Sequence, residues 1–213
     1  MADLQLSAIE ARVVAALAEK AIATPQYYPM SVNALMLAAN QKNSRDPVMK
    51  LTEGEVGAAL NRLQELDLVR RDDSLGRVTK WRHQFQHHLL LQPAPFAVIV
   101  TLMLRGPQTV AELRANAAGL GGPADVEATQ AALKELADRA QPLVVLLPRA
   151  PGHKEARYAH TLSGPPSLPE PVGAPSGATV AAEAAPTDIS ALEDRIRQLE
   201  ERVAALEQLS PKP

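Results

Sequence analysis

The chain has 213 residues, a formal net charge of −2 and 46% hydrophobic residues, yet only 3% aromatics against 37 alanines. It has no cysteine, which excludes disulfides, thiolate nucleophiles and Cys-based zinc or iron–sulfur sites. One large or two small domains fit this length, their cores must be close-packed helices with small side chains, and the near-neutral charge excludes a uniformly basic polyanion binder.

The most apolar stretch, residues 96–104, is far shorter than the roughly 20 residues that span a bilayer. Met1-Ala2-Asp3-Leu4 carries no basic segment ahead of an apolar run. The expectation is a soluble cytoplasmic protein.

Residues 1–92 predict three helices and a hairpin. Ser7-Ala8-Ile9-Glu10 is a capping box opening an amphipathic helix to about Ala21, which Pro25 and Pro29 end. A short helix fits residues 31–40, with Val32, Leu35, Leu37 and Ala39 as apolar positions, and a polar connection follows over 41–50. Thr52-Glu53-Gly54-Glu55 caps a third helix with Val56, Leu60, Leu63 and Leu66 on its core stripe. Strands over 68–71 and 78–82 flank the turn-rich tip Asp72-Asp73-Ser74-Leu75-Gly76. Helix, helix, helix, hairpin is the order of a winged helix-turn-helix.

The same order recurs over residues 93–164. A helix over 96–105 ends at Gly106-Pro107, and Thr109-Val110-Ala111-Glu112 caps the next. Asp125 caps a helix through Arg139 with Val126, Thr129, Leu133 and Leu136 inward. Strands over 143–147 and 156–161 complete the unit. The fold class expected is therefore mainly α with small β-hairpin wings (α+β), as two tandem winged helix-turn-helix domains.

After Gly164 the composition turns to Pro, Ala, Gly and Ser, and residues 165–187 are expected to be a disordered linker. Residues 188–209 carry Ile189, Leu192, Ile196, Leu199, Val203 and Leu206 at alternating spacings of three and four. β-branched a positions with leucine at d favour a parallel two-stranded coil. Glu200 and Glu207 at e would meet Arg195 and Arg202 at g of the partner chain. Either this helix pairs two chains in a homodimer, or it packs on its own chain. Charge is unevenly placed: residues 1–92 hold 11 Lys+Arg and 10 Asp+Glu, residues 93–164 hold 7 and 6, and residues 165–213 hold 4 and 8.

A winged helix that binds DNA lays its third helix in the major groove and its wing along the backbone. Arg70, Arg71, Arg77, Lys80 and Arg82 lie on the first hairpin, and alternation puts Arg70, Lys80 and Arg82 outward. Lys42, Asn43, Arg45 and Lys50 come from the long connection before the third helix, and Asn61 and Arg62 from that helix's outward face. Asn43, Arg45 and Asp46 admit two readings, a functional loop or a structural turn with Arg45 paired to a carboxylate. Arg149, His153, Lys154 and Arg157 mark the second wing. Against base reading stand Glu53 and Glu55 in the third helix's first turn, which repel phosphate.

Catalytic and metal readings find no support. His83 and His87 are four apart, with His88 adjacent, but no third ligand is in view, and they read as a surface pair. Gly119-Leu120-Gly121-Gly122-Pro123 lacks the Gly-Lys-Ser/Thr ending of a phosphate loop. No catalytic residue, metal site or cofactor is expected.

Three motifs resemble the YceH-like family of uncharacterised bacterial proteins: Asn40-Gln41-Lys42-Asn43-Ser44-Arg45-Asp46-Pro47 with Leu51-Thr52-Glu53-Gly54-Glu55-Val56; Leu104-Arg105-Gly106-Pro107-Gln108-Thr109; and Pro151-Gly152-His153-Lys154-Glu155-Ala156-Arg157-Tyr158-Ala159-His160. The resemblance covers about residues 6–164. It implies tandem winged-helix domains and no known activity. Two functions stay open: non-catalytic binding of double-stranded DNA, regulatory or architectural, and a dimeric scaffold whose winged helices bind a partner protein.

Overall fold

A computed structural model describes residues 4–72, 78–149 and 155–165, all within one compact unit. The heptad residues Ile189 to Leu206, with the coiled coil expected of them, lie outside the described residues. So do the linker from residue 166, Arg77, His153 and Lys154.

Helix α1 (Ala8–Ala23) starts where the capping box requires: Ser7 Oγ accepts from the Glu10 N–H and Glu10 accepts from the Ser7 N–H at 2.8 Å. Its middle is not amphipathic, since residues 11–18 are all buried. Helices α2 (Val32–Ala39) and α3 (Glu53–Glu65) pack against it. A helix covered from several sides has no solvent stripe, and the alanines let its neighbours approach closely.

In α2 the buried residues are Leu35, Ala38 and Ala39, while Leu37, another apolar position of that stretch, is exposed. Thr52 and Glu55 form the second capping box, and α3 buries Val56, Ala59, Leu60 and Leu63. Strands β1 (Val69–Asp72) and β2 (Lys80–His83) are antiparallel, with Arg70 opposite Arg82 and Asp72 opposite Lys80. Met30 adds a bridge on the far side of β2 through paired backbone hydrogen bonds with Trp81.

A single turn, α4 (Phe85–His88), absent from the sequence expectation, buries Phe85 edge-on to Phe96 with centroids 5.9 Å apart. Helix α5 (Pro93–Arg105) begins three residues earlier than expected, because proline is tolerated in a first turn where its missing N–H has no intrahelical role. Residues 95–104 are all buried. Helices α6 (Val110–Ala117) and α7 (Val126–Ala137) follow, capped by Thr109 and Asp125. Thr129, Ala132, Leu133 and Leu136 face inward, but Val126, in the first turn, is exposed. Strands β3 (Val144–Leu146) and β4 (Tyr158–His160) pair antiparallel, and Gln108 bridges Tyr158 as Met30 bridges Trp81.

Three helices followed by a two-stranded hairpin thus occur twice in a mainly helical α+β fold. Helices α1 and α5 hold corresponding places and pack on each other, so one hydrophobic cluster runs from Leu6 to Leu162. No helix among the described residues is long and apolar enough to cross a membrane.

Candidate nucleic-acid interface

The first hairpin collects the cations. Cross-strand partners share a face, so Arg70 and Arg82 lie side by side, with Lys80 and Asp72 two positions along. Arg82 Nε bonds Asp72 Oδ2, and its guanidinium lies 5.5 Å from the Tyr28 ring centroid. Arg70 is exposed and makes no hydrogen bond or ion pair among the described residues. Arg71 belongs to the other face, where its guanidinium sits 5.2 Å from the Trp81 ring centroid and donates to Asn61 Oδ1 at 3.2 Å. This joins the outward side of α3 to the hairpin. Arg62 instead pairs with Glu65 at 2.7 Å and lines a separate depression beside Leu66, His88 and Arg139.

The α2–α3 connection is pinched at its base: Asn40 Nδ2 donates to the Leu51 carbonyl at 2.8 Å and Asn40 Oδ1 accepts from the Leu51 N–H at 2.7 Å. Lys42, Asn43 and Lys50 are exposed on it. Arg45 is not. Its side chain is inaccessible and donates to both Glu19 carboxylate oxygens at 3.1 and 2.6 Å, to Ala38 and Ser44 carbonyls and to Gln41 Oε1. Of the two readings of this loop, the structural one describes Arg45, which offers no donor to a phosphate. The same loop docks on the second half: the Asp46 N–H donates to the Leu104 carbonyl at 2.8 Å and Arg105 to Ser44 Oγ at 2.6 Å.

On the second hairpin Arg149 is exposed, whereas Arg157 donates to the Pro107 carbonyl at 2.8 Å and to Glu112 at 3.0 Å. Glu53 and Glu55 stand exposed at the start of α3. Glu53 accepts from Asn33, while Glu55 is held by the Thr52 N–H and hydroxyl, which keep its carboxyl below the usual range. His83 is a packing residue rather than half of a surface pair: it stacks on Phe96 at 5.7 Å, and burial, then the charge of His87, lowers its pKa to about 4.

Arg12 was not legible as a special residue. A lone cation in the run Ala11-Arg12-Val13-Val14-Ala15-Ala16 reads as a solvent-facing position, yet Arg12 is buried and donates to the Pro47 carbonyl at 2.8 Å. Its only signal is the unbroken apolar neighbourhood.

Doubled helix–hairpin order and the docked Asn40–Pro47 loop define a protein of an uncharacterised class: residues 6–153 match the family described as "Protein of unknown function, DUF480", and the chain belongs to it. Its relatives are UPF0502 proteins. That of Geobacter sulfurreducens is 43% identical over 206 residues, 96% of this chain and 91% of the relative. Those of Burkholderia vietnamiensis and Geotalea daltonii are each 43% identical, over 205 and 199 residues, covering 96% and 93% of this chain and 86% and 88% of the relatives.

Proposed function

We propose that this chain is a non-catalytic, tandem winged-helix protein that binds duplex DNA through its first hairpin, reading backbone more than bases. The observation that carries the reading is the Arg70–Arg82 cross-strand pair with Lys80 on the same face. Like charges directly opposite on a strand pair destabilise it, and one carboxylate, Asp72, accompanies the three cations there. A polyanion laid along that face offsets the repulsion. Glu53 and Glu55 at the start of α3 argue for contact from the side of that helix, through Asn61 and Arg71, rather than from its N-terminus. Lys42 and Lys50 extend the cationic set, and the heptads of residues 188–209 supply a homodimer.

Fluorescence anisotropy of a labelled duplex titrated across salt tests this. Affinity is expected to fall linearly in log–log form, and Arg70→Ala with Lys80→Ala to flatten the slope by about 2, one for each phosphate no longer neutralised. These two are chosen because Arg82 also holds Asp72 and Tyr28 in the fold. Absence of binding at low salt rejects the reading.

One observation favours a partner-binding scaffold instead: β3 exposes Val145 and Leu146 where β1 exposes Arg70 and Arg71. A stoichiometric protein recovered from nuclease-treated bacterial lysate by the wild type, and not by Leu146→Asp, selects that reading.

A further inference from the structure

Where α1, the α2–α3 connection and the end of α5 meet, they leave a cavity of about 360 Å³ whose wall includes Arg12, Asp46, Met49, Leu102, Met103 and His160. Two buried arginines sit at this junction and they differ in one respect. Arg45 has both oxygens of Glu19. Arg12, 2% exposed, has only carbonyls: Nη2 donates to Pro47 at 2.8 Å and Nη1 to Ala39 at 3.4 Å, while Nε has no partner. No carboxylate lies within ion-pair distance of it among the described residues. A buried cation that has donors to spare and no anion in contact is costly to keep.

Asp46 is the complement. Its N–H is tied to the Leu104 carbonyl, but its carboxylate accepts no hydrogen bond among the described residues and lies over the bare Cα of Gly106. The cavity wall therefore carries a buried cation whose nearest opposite charge, the exposed Asp46 carboxylate, acts on it through space without touching it. His160 adds a polar edge without charge at neutral pH, since burial holds its pKa at about 4, and its Nδ1 is likewise unpartnered. Most of the remaining wall is apolar, and Met49 and Met103 are side chains that adapt to irregular shapes. Volume and lining fall in the range of small-molecule sites, apolar with a few convergent polar groups.

We propose that this cavity binds a small zwitterion with an apolar side chain, that is, an apolar α-amino acid. Its carboxylate pairs with Arg12, its ammonium with Asp46, and its side chain lies against Met49, Leu102 and Met103. A simple carboxylate leaves Asp46 as a repelling neighbour, and a simple amine leaves Arg12 uncompensated.

Isothermal titration of the full chain with L-leucine and L-methionine, against 4-methylpentanoate and 3-methylbutylamine, tests the assignment. Saturable binding of at least one amino acid is expected, with each single-charge analogue weaker by about tenfold or more, the worth of one charge-assisted hydrogen bond. Asp46→Asn should weaken the amino acid by a similar factor and lower the thermal midpoint of the unliganded protein only modestly, since the carboxylate is exposed, accepts no hydrogen bond among the described residues and acts on Arg12 by charge alone. Ala8→Trp, at an exposed position on the cavity wall, should abolish binding. No heat from either amino acid at about 10 mM, a concentration that saturates even millimolar sites, overturns the proposal. So does equal affinity for 4-methylpentanoate, which marks a plain anion site, or binding that survives both substitutions.

Discussion

Arg45 joins three chain segments through one guanidinium, bonding Glu19 of α1, Ala38 of α2 and Ser44 of the connection. Replacing it leaves the Glu19 carboxylate, whose side chain is only 14% exposed, with Lys20 at 3.4 Å as its remaining cation. Arg45→Met is expected to cost about 3 kcal/mol, read from the urea midpoint, and adding Glu19→Gln should recover part of it, because much of the penalty comes from a buried carboxylate left with Lys20 alone. Burial alone would raise the Glu19 carboxyl, but the hydrogen bonds and charge of Arg45 outweigh it and hold it low. The two histidines His83 and His160 are held down to about 4 by burial, against 6.5 when unfolded. Between these values the unfolded chain binds more protons, so stability is full above pH 6.5 and drains as pH falls towards 4. Glu19 contributes above its unfolded pKa and is lost at still lower pH. Urea midpoints should therefore be level from about pH 7 to about pH 9 and fall steadily below pH 6.5. A carboxylate partner for Arg45 was one of the two readings of the loop, but neither its burial nor the identity of that partner was legible in the loop's own residues. A polar run from Gln41 to Lys50 looks solvated, and what buries Arg45 is a carboxylate 26 positions away.

At the scale of elements the sequence is explicit where chemistry is local. Ser7 with Glu10, Thr52 with Glu55 and Thr109 with Glu112 each form the expected capping box, and Asp125 caps α7. Periodicity located the core-facing side of α3 and of α7 apart from Val126 in the first turn, but it gave α1 a solvent side that its buried middle lacks. Four-residue α4 has no period to read, because Phe85 is drawn in by Phe96 on another helix. Gly106 ends α5 at φ +69°, ψ −161°, a backbone region reserved for glycine. Gly106→Ala should destabilise by about 1–3 kcal/mol. Gly57, inside α3 with open space where a Cβ would stand, behaves oppositely: Gly57→Ala should stabilise by about 0.5–1 kcal/mol. Denaturant midpoints of the two variants should move in opposite directions.

Across the whole molecule, α1 and α5 form a shared spine, each buried by the elements of its own half and by the other. Neither half can be removed without baring the flank of one of these helices. A single calorimetric transition is expected, with calorimetric and van't Hoff enthalpies equal, and residues 1–92 alone should not give a cooperative melt. Two separated transitions would show that the halves fold independently. The doubled element order was legible because each half repeats its own local signals. The spine was not, because Ala15, Ala16, Val98 and Ile99 look alike whether they face their own half or its neighbour. The hairpin cations were likewise readable from alternation within one strand pair. The cavity at Arg12 and Asp46 needs three segments brought together and has no linear trace.

Trp81 is the only tryptophan in the chain, and it lies buried beneath Arg71 on the hairpin that faces the proposed duplex. The protein therefore carries its own optical probe. Its emission should be blue-shifted in the native state, and a duplex that draws Arg71 towards a phosphate should change the intensity without any label. Arg71→Ala should remove that response. An emission spectrum unmoved by saturating duplex would place Arg71 and Asn61 outside the contact, leaving only the outer row of Arg70, Lys80 and Arg82.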